Sequence, residues 1–325
     1  MNIKIQDLKI LPNFLCNRIK NVPFILAHSL TYKCNLKCKI CEFYKKNNKN
    51  ELKLDEIFKM LDDAKKMGMV YYIITGGEPL LNDNLAEIVE YAKKLGFRTS
   101  IITNGILLKD RIKEIRKFID VITVSIDGPN HIHNKIRNSN IAFKKAIEGL
   151  IEAKKNGIKV KIASTICKIN INYIKQIAGL AKKNSVPVIF QPMLGYSKHL
   201  KKIELNNFEL IKYVKEVYWL KKNKYPVINS SYALLSILNH KPFYKCYFPN
   251  HTISIDPEGN VIECLNSTNL NIKYMSFRDI FKSEIYKKFL KKSKSCKHFC
   301  RLNCATEFNG IYTFKYSELL HFLIS

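Results

Sequence analysis

Three cysteines fall within eight residues in Cys34-Asn-Leu-Lys-Cys38-Lys-Ile-Cys41, directly after the apolar run Phe24 to Thr31. Three thiolates on one loop can hold a metal centre and leave it one ligand short. Structural zinc normally closes with four protein ligands in pairs such as C-x2-C. A three-cysteine loop suits an iron–sulfur cluster whose remaining iron takes an outside ligand. Five further cysteines, Cys246, Cys264, Cys296, Cys300 and Cys304, lie between Lys245 and Ala305. Cys167 and Cys16 stand alone and read as small hydrophobes. Clustered thiols in a chain whose first 21 residues lack a continuous hydrophobic segment point to a reduced cytoplasmic protein that uses cysteine for metal, not disulfides.

The elements that must position these residues follow from a recurring pattern. Ala64-Lys-Lys-Met-Gly68, Ala92-Lys-Lys-Leu-Gly96, Ala153-Lys-Lys-Asn-Gly157 and Ala181-Lys-Lys-Asn-Ser185 each read as a helix end, with lysines against the negative end of the dipole. In the first three, Gly stands where a left-handed residue closes the helix. A β-rich segment follows every one, which implies a parallel sheet with right-handed crossovers. Expected strands are Ile25 to Thr31, Val70 to Thr75, Arg98 to Thr103, Val121 to Ser125, Lys159 to Thr165 and Val188 to Gln191. Helices are expected at 54–67, 84–95, 108–118, 140–156 and 172–184. The fold class is therefore α/β, a partial (β/α)6 TIM-like barrel, in which the loops after the strands build the site. Those loops bring Gly76-Gly77-Glu78-Pro79, Asn104, Ser125-Ile126-Asp127-Gly128 and the cysteine loop to one rim.

On these residues the chain resembles the radical S-adenosylmethionine (SAM) superfamily, whose hallmarks are a C-x3-C-x2-C loop after the first barrel strand and a GGEP stretch after the second. The resemblance covers about residues 22 to 195. It implies a [4Fe-4S] cluster held by Cys34, Cys38 and Cys41, with the amine and carboxylate of SAM on the fourth iron. It also implies cofactor contacts from Gly76, Gly77, Glu78, Pro79, Asn104, Ser125 and Asp127, with Arg137 facing the SAM carboxylate or a substrate anion. In these terms the two glycines let backbone approach the methionyl end, and Glu78 offers a carboxylate to the amine. Taken alone, Gly76 to Pro79 is an ordinary turn and Asp127 an Asx-turn residue.

After Pro226 the alternation stops. Thr252 to Cys264 reads as a β-hairpin around Pro257-Glu-Gly-Asn260, and a helix from about Phe277 to Lys292 leads to Cys296-x3-Cys300-x3-Cys304. This region is similar to the cysteine-rich extension called SPASM, or twitch in its shorter form. The opening Cys246-x12-Gly259-x4-Cys264 matches well; the later cysteines are fewer and more widely spaced. The resemblance implies one auxiliary [4Fe-4S] cluster on Cys246, Cys264 and Cys304, with Cys300 or Cys296 as fourth ligand. Zinc on the same thiols is the alternative. The expected organisation is an N-terminal segment 1–21, a core barrel 22–225, and an auxiliary domain 226–325 with a hairpin and a helix.

The formal net charge of +28 would ordinarily raise nucleic acid or an anionic surface as a partner. Only seven of the 55 basic residues are arginine, and the lysines spread over nearly every expected helix. Readers of nucleic acid lean on arginine, so nucleic acid is not the expected partner. No stretch reaches the roughly 20 apolar residues of a membrane span. The expectation is an enzyme that reductively cleaves SAM to a 5′-deoxyadenosyl radical and modifies a peptide or small biosynthetic precursor, served by an electron donor such as a flavodoxin or ferredoxin. The alternatives are a basic RNA-associated protein with structural metal sites, or a family member acting on a lipid precursor.

Overall fold

The computed structural model describes residues 17, 22–46, 50–238, 246–264, 266–296, 306 and 307. Six βα units come first: β1 (Ile25–Ser29), α1 (Leu54–Lys66), β2 (Tyr71–Thr75), α2 (Leu85–Lys94), β3 (Arg98–Thr103), α3 (Leu108–Ile115), β4 (Val121–Ser125), α4 (Asn130–Arg137), α5 (Ala142–Lys155), β5 (Lys159–Ile166), α6 (Ile174–Lys183) and β6 (Val188–Pro192). All five pairings from β1 to β6 are parallel. The sheet does not close on itself; these six strands stand in the order β6-β5-β4-β3-β2-β1, and three later strands continue the sheet beyond β1. The six expected strands and the five expected helices are present, with ends moved by a few residues.

Alternation along the strands sorts the side chains. Leu26, Tyr72, Ile74, Ile101, Ile122, Val124, Ile162, Val188 and Phe190 are buried in one core with Ile57, Leu61, Ile88, Ile112, Leu150 and Ile177 of the helices. The opposite face of each strand turns to the lumen of the open barrel and is partly exposed at Ser29, Thr75, Ser100, Ile102, Ser125, Lys161 and Thr165. Left-handed glycines end the first three repeats, with φ of +84° at Gly68, +80° at Gly96 and +76° at Gly157. The fourth repeat has Ser185 at φ +50°.

Beyond β6 the chain forms α7 (Lys198–Ile203), α8 (Asn207–Lys222) and α9 (Ser231–Leu238), then β7 (Thr252–Ile255), β8 (Asn260–Glu263) and β9 (Asn266–Asn271). The expected hairpin is there as β7 and β8, paired through Ile255 and Val261. It is not a separate sheet, because β7 lies parallel to β1 with Ile25 opposite Thr252 and His28 opposite Ile255. The sheet thus runs across the boundary expected at residue 226. The single helix expected over 277–292 is two, α10 (Phe277–Lys282) and α11 (Glu284–Lys294). Ser283 separates them with extended backbone, and its hydroxyl accepts from the Tyr286 amide at 3.2 Å, an N-cap that starts the second helix. No helix among the described residues is long and apolar enough to cross a membrane.

Candidate functional site

The cysteine loop leaves β1 and is held down by backbone contacts. The Gly77 amide donates to Thr31 O at 2.7 Å, the Glu78 amide to Lys33 O at 2.8 Å, and the Lys39 amide to Ile136 O of α4 at 2.8 Å. A Cβ added at Gly77 would lie 2.1 Å from Lys33 O, and one at Gly76 2.6 Å from Thr31 O. The two glycines therefore serve the close approach of the GGEP turn to the cysteine loop itself. Glu51 fixes the start of the loop, accepting from the Thr31 hydroxyl at 2.9 Å and the Tyr32 amide at 2.6 Å.

Cys34, Cys38 and Cys41 face a cavity of about 160 Å³. Gly76, Gly77, Asn104, Ser125 and Arg137 line the same cavity, so most of the expected cofactor contacts meet there. Glu78, Pro79 and Asp127 stand behind it. Glu78 is fully buried; it accepts from the Thr103 hydroxyl at 2.7 Å, the Asn104 amide at 2.8 Å and the Leu80 amide at 3.1 Å. Both its oxygens are occupied, and its place is under the Asn104 turn. Burial pushes its pKa up, against those three hydrogen bonds.

Asp127 is equally enclosed. Arg137 donates to its Oδ2 through Nε at 2.7 Å and Nη2 at 2.5 Å, and the Thr165 amide donates to Oδ1 at 2.9 Å. The expected Asx role gives way to an ion pair that carries Arg137 onto the Cys38 thiol. Burial works against the Arg137 charge, but Asp127 and Cys38 more than offset it and keep the guanidinium charged. Burial pushes the Cys34 thiol up to about 11 and raises Cys38 as well, the latter opposed by Arg137. Thiols in such a setting become ligands when a bound cationic centre draws off their protons. Three thiols on one cavity, Cys38 buried and Cys34 and Cys41 half-buried, beside one guanidinium, fit the sulfur ligation of an iron–sulfur cluster. Among the described residues no three His, Cys, Asp or Glu side chains are disposed around a single metal ion.

Several supporting residues escaped the sequence reading. Asn35 accepts at Oδ1 from Asn104 Nδ2 at 2.7 Å, which joins the third strand's turn to the cysteine loop. Asn170 donates to Asp127 O at 2.8 Å and Thr165 O at 2.9 Å. The Tyr196 hydroxyl accepts from the Glu42 amide at 2.9 Å and bonds the Cys41 thiol. The one available signal for Tyr196 was its place soon after the sixth strand. Cys167 is fully buried with Met193 and Leu200, and burial pushes its thiol up to about 11, in keeping with a small hydrophobe.

In the extension, Cys246 and Cys296 lie within electrostatic reach of Cys264, whose pKa burial and these neighbours raise. Cys264 adopts φ +57°, a strained conformation for a side-chain-bearing residue. Cys300, Cys304 and Cys16 lie outside the described residues.

Comparison with known proteins agrees with this layout. The model of the radical SAM superfamily matches residues 28–181, and that of the SPASM iron–sulfur cluster-binding domain matches residues 246–305. The Fe-coproporphyrin III synthase of Methanosarcina barkeri is 32% identical over 188 residues, 57% of this chain and 47% of the relative. The match thus spans about half the length of that relative. A GTP 3′,8-cyclase of Clostridium perfringens is 27% identical over 289 residues, 81% of this chain and 90% of the relative. Among solved structures, Streptococcus suis SuiB bound to S-adenosylmethionine superposes with a TM-score of 0.71 at 17% identity, covering 82% of this chain and 68% of that one. The enzyme anSMEcpe with bound AdoMet and the Cp18Cys peptide gives 0.67 at 20%, covering 87% and 88%. The open barrel with its cysteine loop, and the cysteine-rich extension joined to it, belong to a member of the radical SAM superfamily that carries a SPASM domain.

Proposed function

We propose that this chain is a radical SAM enzyme that cleaves S-adenosylmethionine at a cluster on Cys34, Cys38 and Cys41 and modifies a small biosynthetic precursor or a peptide. The observation that carries the proposal is the convergence of those three thiols on the cavity that Gly76, Gly77, Asn104 and Arg137 also line. When bound, the reduced [4Fe-4S] cluster supplies the electron that breaks the S–C5′ bond of SAM and yields a 5′-deoxyadenosyl radical.

The chain's own residues do the rest. Cys34, Cys38 and Cys41 would hold the cluster as thiolates, with fewer protein ligands than it has irons, so that SAM could bind the cluster directly. Arg137, held by Asp127, adds positive charge at the cavity wall, where a carboxylate or the ligand thiolates benefit from it. Glu78 fixes the Thr103–Asn104 turn, and Asn104 lines the cavity. Leu36 and Phe43 line the cavity with apolar surface and keep water from the reacting atoms. A second cluster would be held by Cys246, Cys264 and Cys304, with Cys300 or Cys296 as the fourth ligand; the nearness of Cys296 to Cys264 supports Cys296.

The small-precursor reading is favoured by sequence matches to proteins named for porphyrin and GTP chemistry; the peptide reading has the fold likeness alone behind it. The test is 5′-deoxyadenosine release from SAM by anaerobically reconstituted, dithionite-reduced protein beside Cys34→Ala. Release from the parent and none from the variant is expected. Equal release from both, or none from parent protein with a full iron content, overturns the proposal.

A further inference from the structure

Lys161 is a lumen cation with no counter-charge among the described residues. It stands on β5 between Val160 and Ile162, both buried in the helix-facing core, so strand alternation turns it to the lumen. Its side chain is only partly exposed. Burial first, then the nearby Arg98 guanidinium, push its pKa down, and no acid opposes them. Among the described residues no hydrogen bond or ion pair holds Lys161. The lumen-facing positions of β1 to β6 include three cations, Arg98, Lys159 and Lys161, and not one Asp or Glu.

The surroundings of Lys161 are those of a binding site. Thr123 is its register partner on β4, and Ser100 faces the same lumen from β3. Among the described residues neither hydroxyl has a hydrogen-bond partner. Two residues further along, Ala163 pairs with Ser125, which lines the cysteine cavity. Two residues of strand rise about 7 Å, so Lys161 lies one lumen layer beneath that cavity. A half-buried ammonium is costly alone and is stabilised by an anion that enters with the substrate. The chain's net charge of +28 draws anions toward it.

We propose that Lys161 holds the anionic group of the substrate, a carboxylate or a phosphate, with Thr123 and Ser100 donating to the same group while the reacting end reaches the cysteine cavity. The inference deepens the function proposed above and rests on it for what happens in the cavity. Its test is calorimetric titration of the reconstituted full-length protein with inorganic phosphate and, separately, with succinate. Saturable binding of at least one probe is expected, and the probe that binds better names the anion. Lys161→Met should weaken it about tenfold or more, as loss of a charge-assisted bond does. Lys161→Arg, which keeps the charge, and Lys117→Met, in the exposed turn after α3, should stay within about threefold of the parent on the same scale. Unchanged binding by Lys161→Met, or no saturable binding of either probe, overturns the site. Release of 5′-deoxyadenosine by the same preparation separates the two proposals. Anion binding without release leaves this site standing and removes the function above, and release without anion binding does the reverse.

Discussion

Gly77 leaves the cavity wall no room for a side chain, since an added Cβ would sit 2.1 Å from Lys33 O. Gly77→Ala should therefore displace the cysteine loop, destabilise the protein by about 2 kcal/mol or more, and lower its iron content after reconstitution. Equal melting and iron content in parent and variant would remove the close-packing role. Asp127 makes a second prediction. Asp127→Asn breaks a buried pair with Arg137 and should cost about 3 kcal/mol in urea unfolding. The cysteine spacing and the paired glycines were legible in the sequence because their chemistry is local. The parts played by Glu78 and Asp127 were not, since a carboxylate's freedom depends on partners far along the chain. Thr103 and Asn104 close off Glu78, and Arg137 and Thr165 close off Asp127.

Helix ends carry a plain consequence. Ser185 takes the left-handed place that Gly fills in the other three repeats, and it is exposed. Ser185→Gly should raise stability by about 1 kcal/mol by relieving that strain, read as a higher urea midpoint; no change or a loss would show that the side chain contributes there. The βα units were readable because lysine-rich ends, glycine and β-branched runs recur together. The break at Ser283 was hidden within one amphipathic pattern, because it depends on a serine cap in a stretch that otherwise reads as a continuous helix. The pairing of β7 with β1 was not readable, since nothing local to Thr252–Ile255 names its neighbour.

The molecule as a whole joins the open barrel that carries the cysteine loop to the cysteine-rich extension across one sheet. Its buried histidines set its acid limit. Burial lowers His28 and His133 from 6.5 to about 4. Both are neutral in folded and unfolded chain at neutral pH; as pH falls from 6.5 toward 4 the unfolded chain takes up the protons first, so stability declines over that window. Urea unfolding at pH 7 and pH 4.5 should show the decline, and His28→Gln should make it shallower. An identical slope in that variant would assign the acid sensitivity elsewhere. The central claim is that Cys34, Cys38 and Cys41 hold a cluster with one iron open to SAM. Electron paramagnetic resonance of the reduced protein before and after SAM addition tests it most directly. The account predicts a SAM-dependent change in the cluster signal that persists when Cys246 and Cys264 are replaced by alanine and disappears in Cys34→Ala. A signal indifferent to SAM in protein with a full iron content, or a SAM response that survives Cys34→Ala, would contradict it.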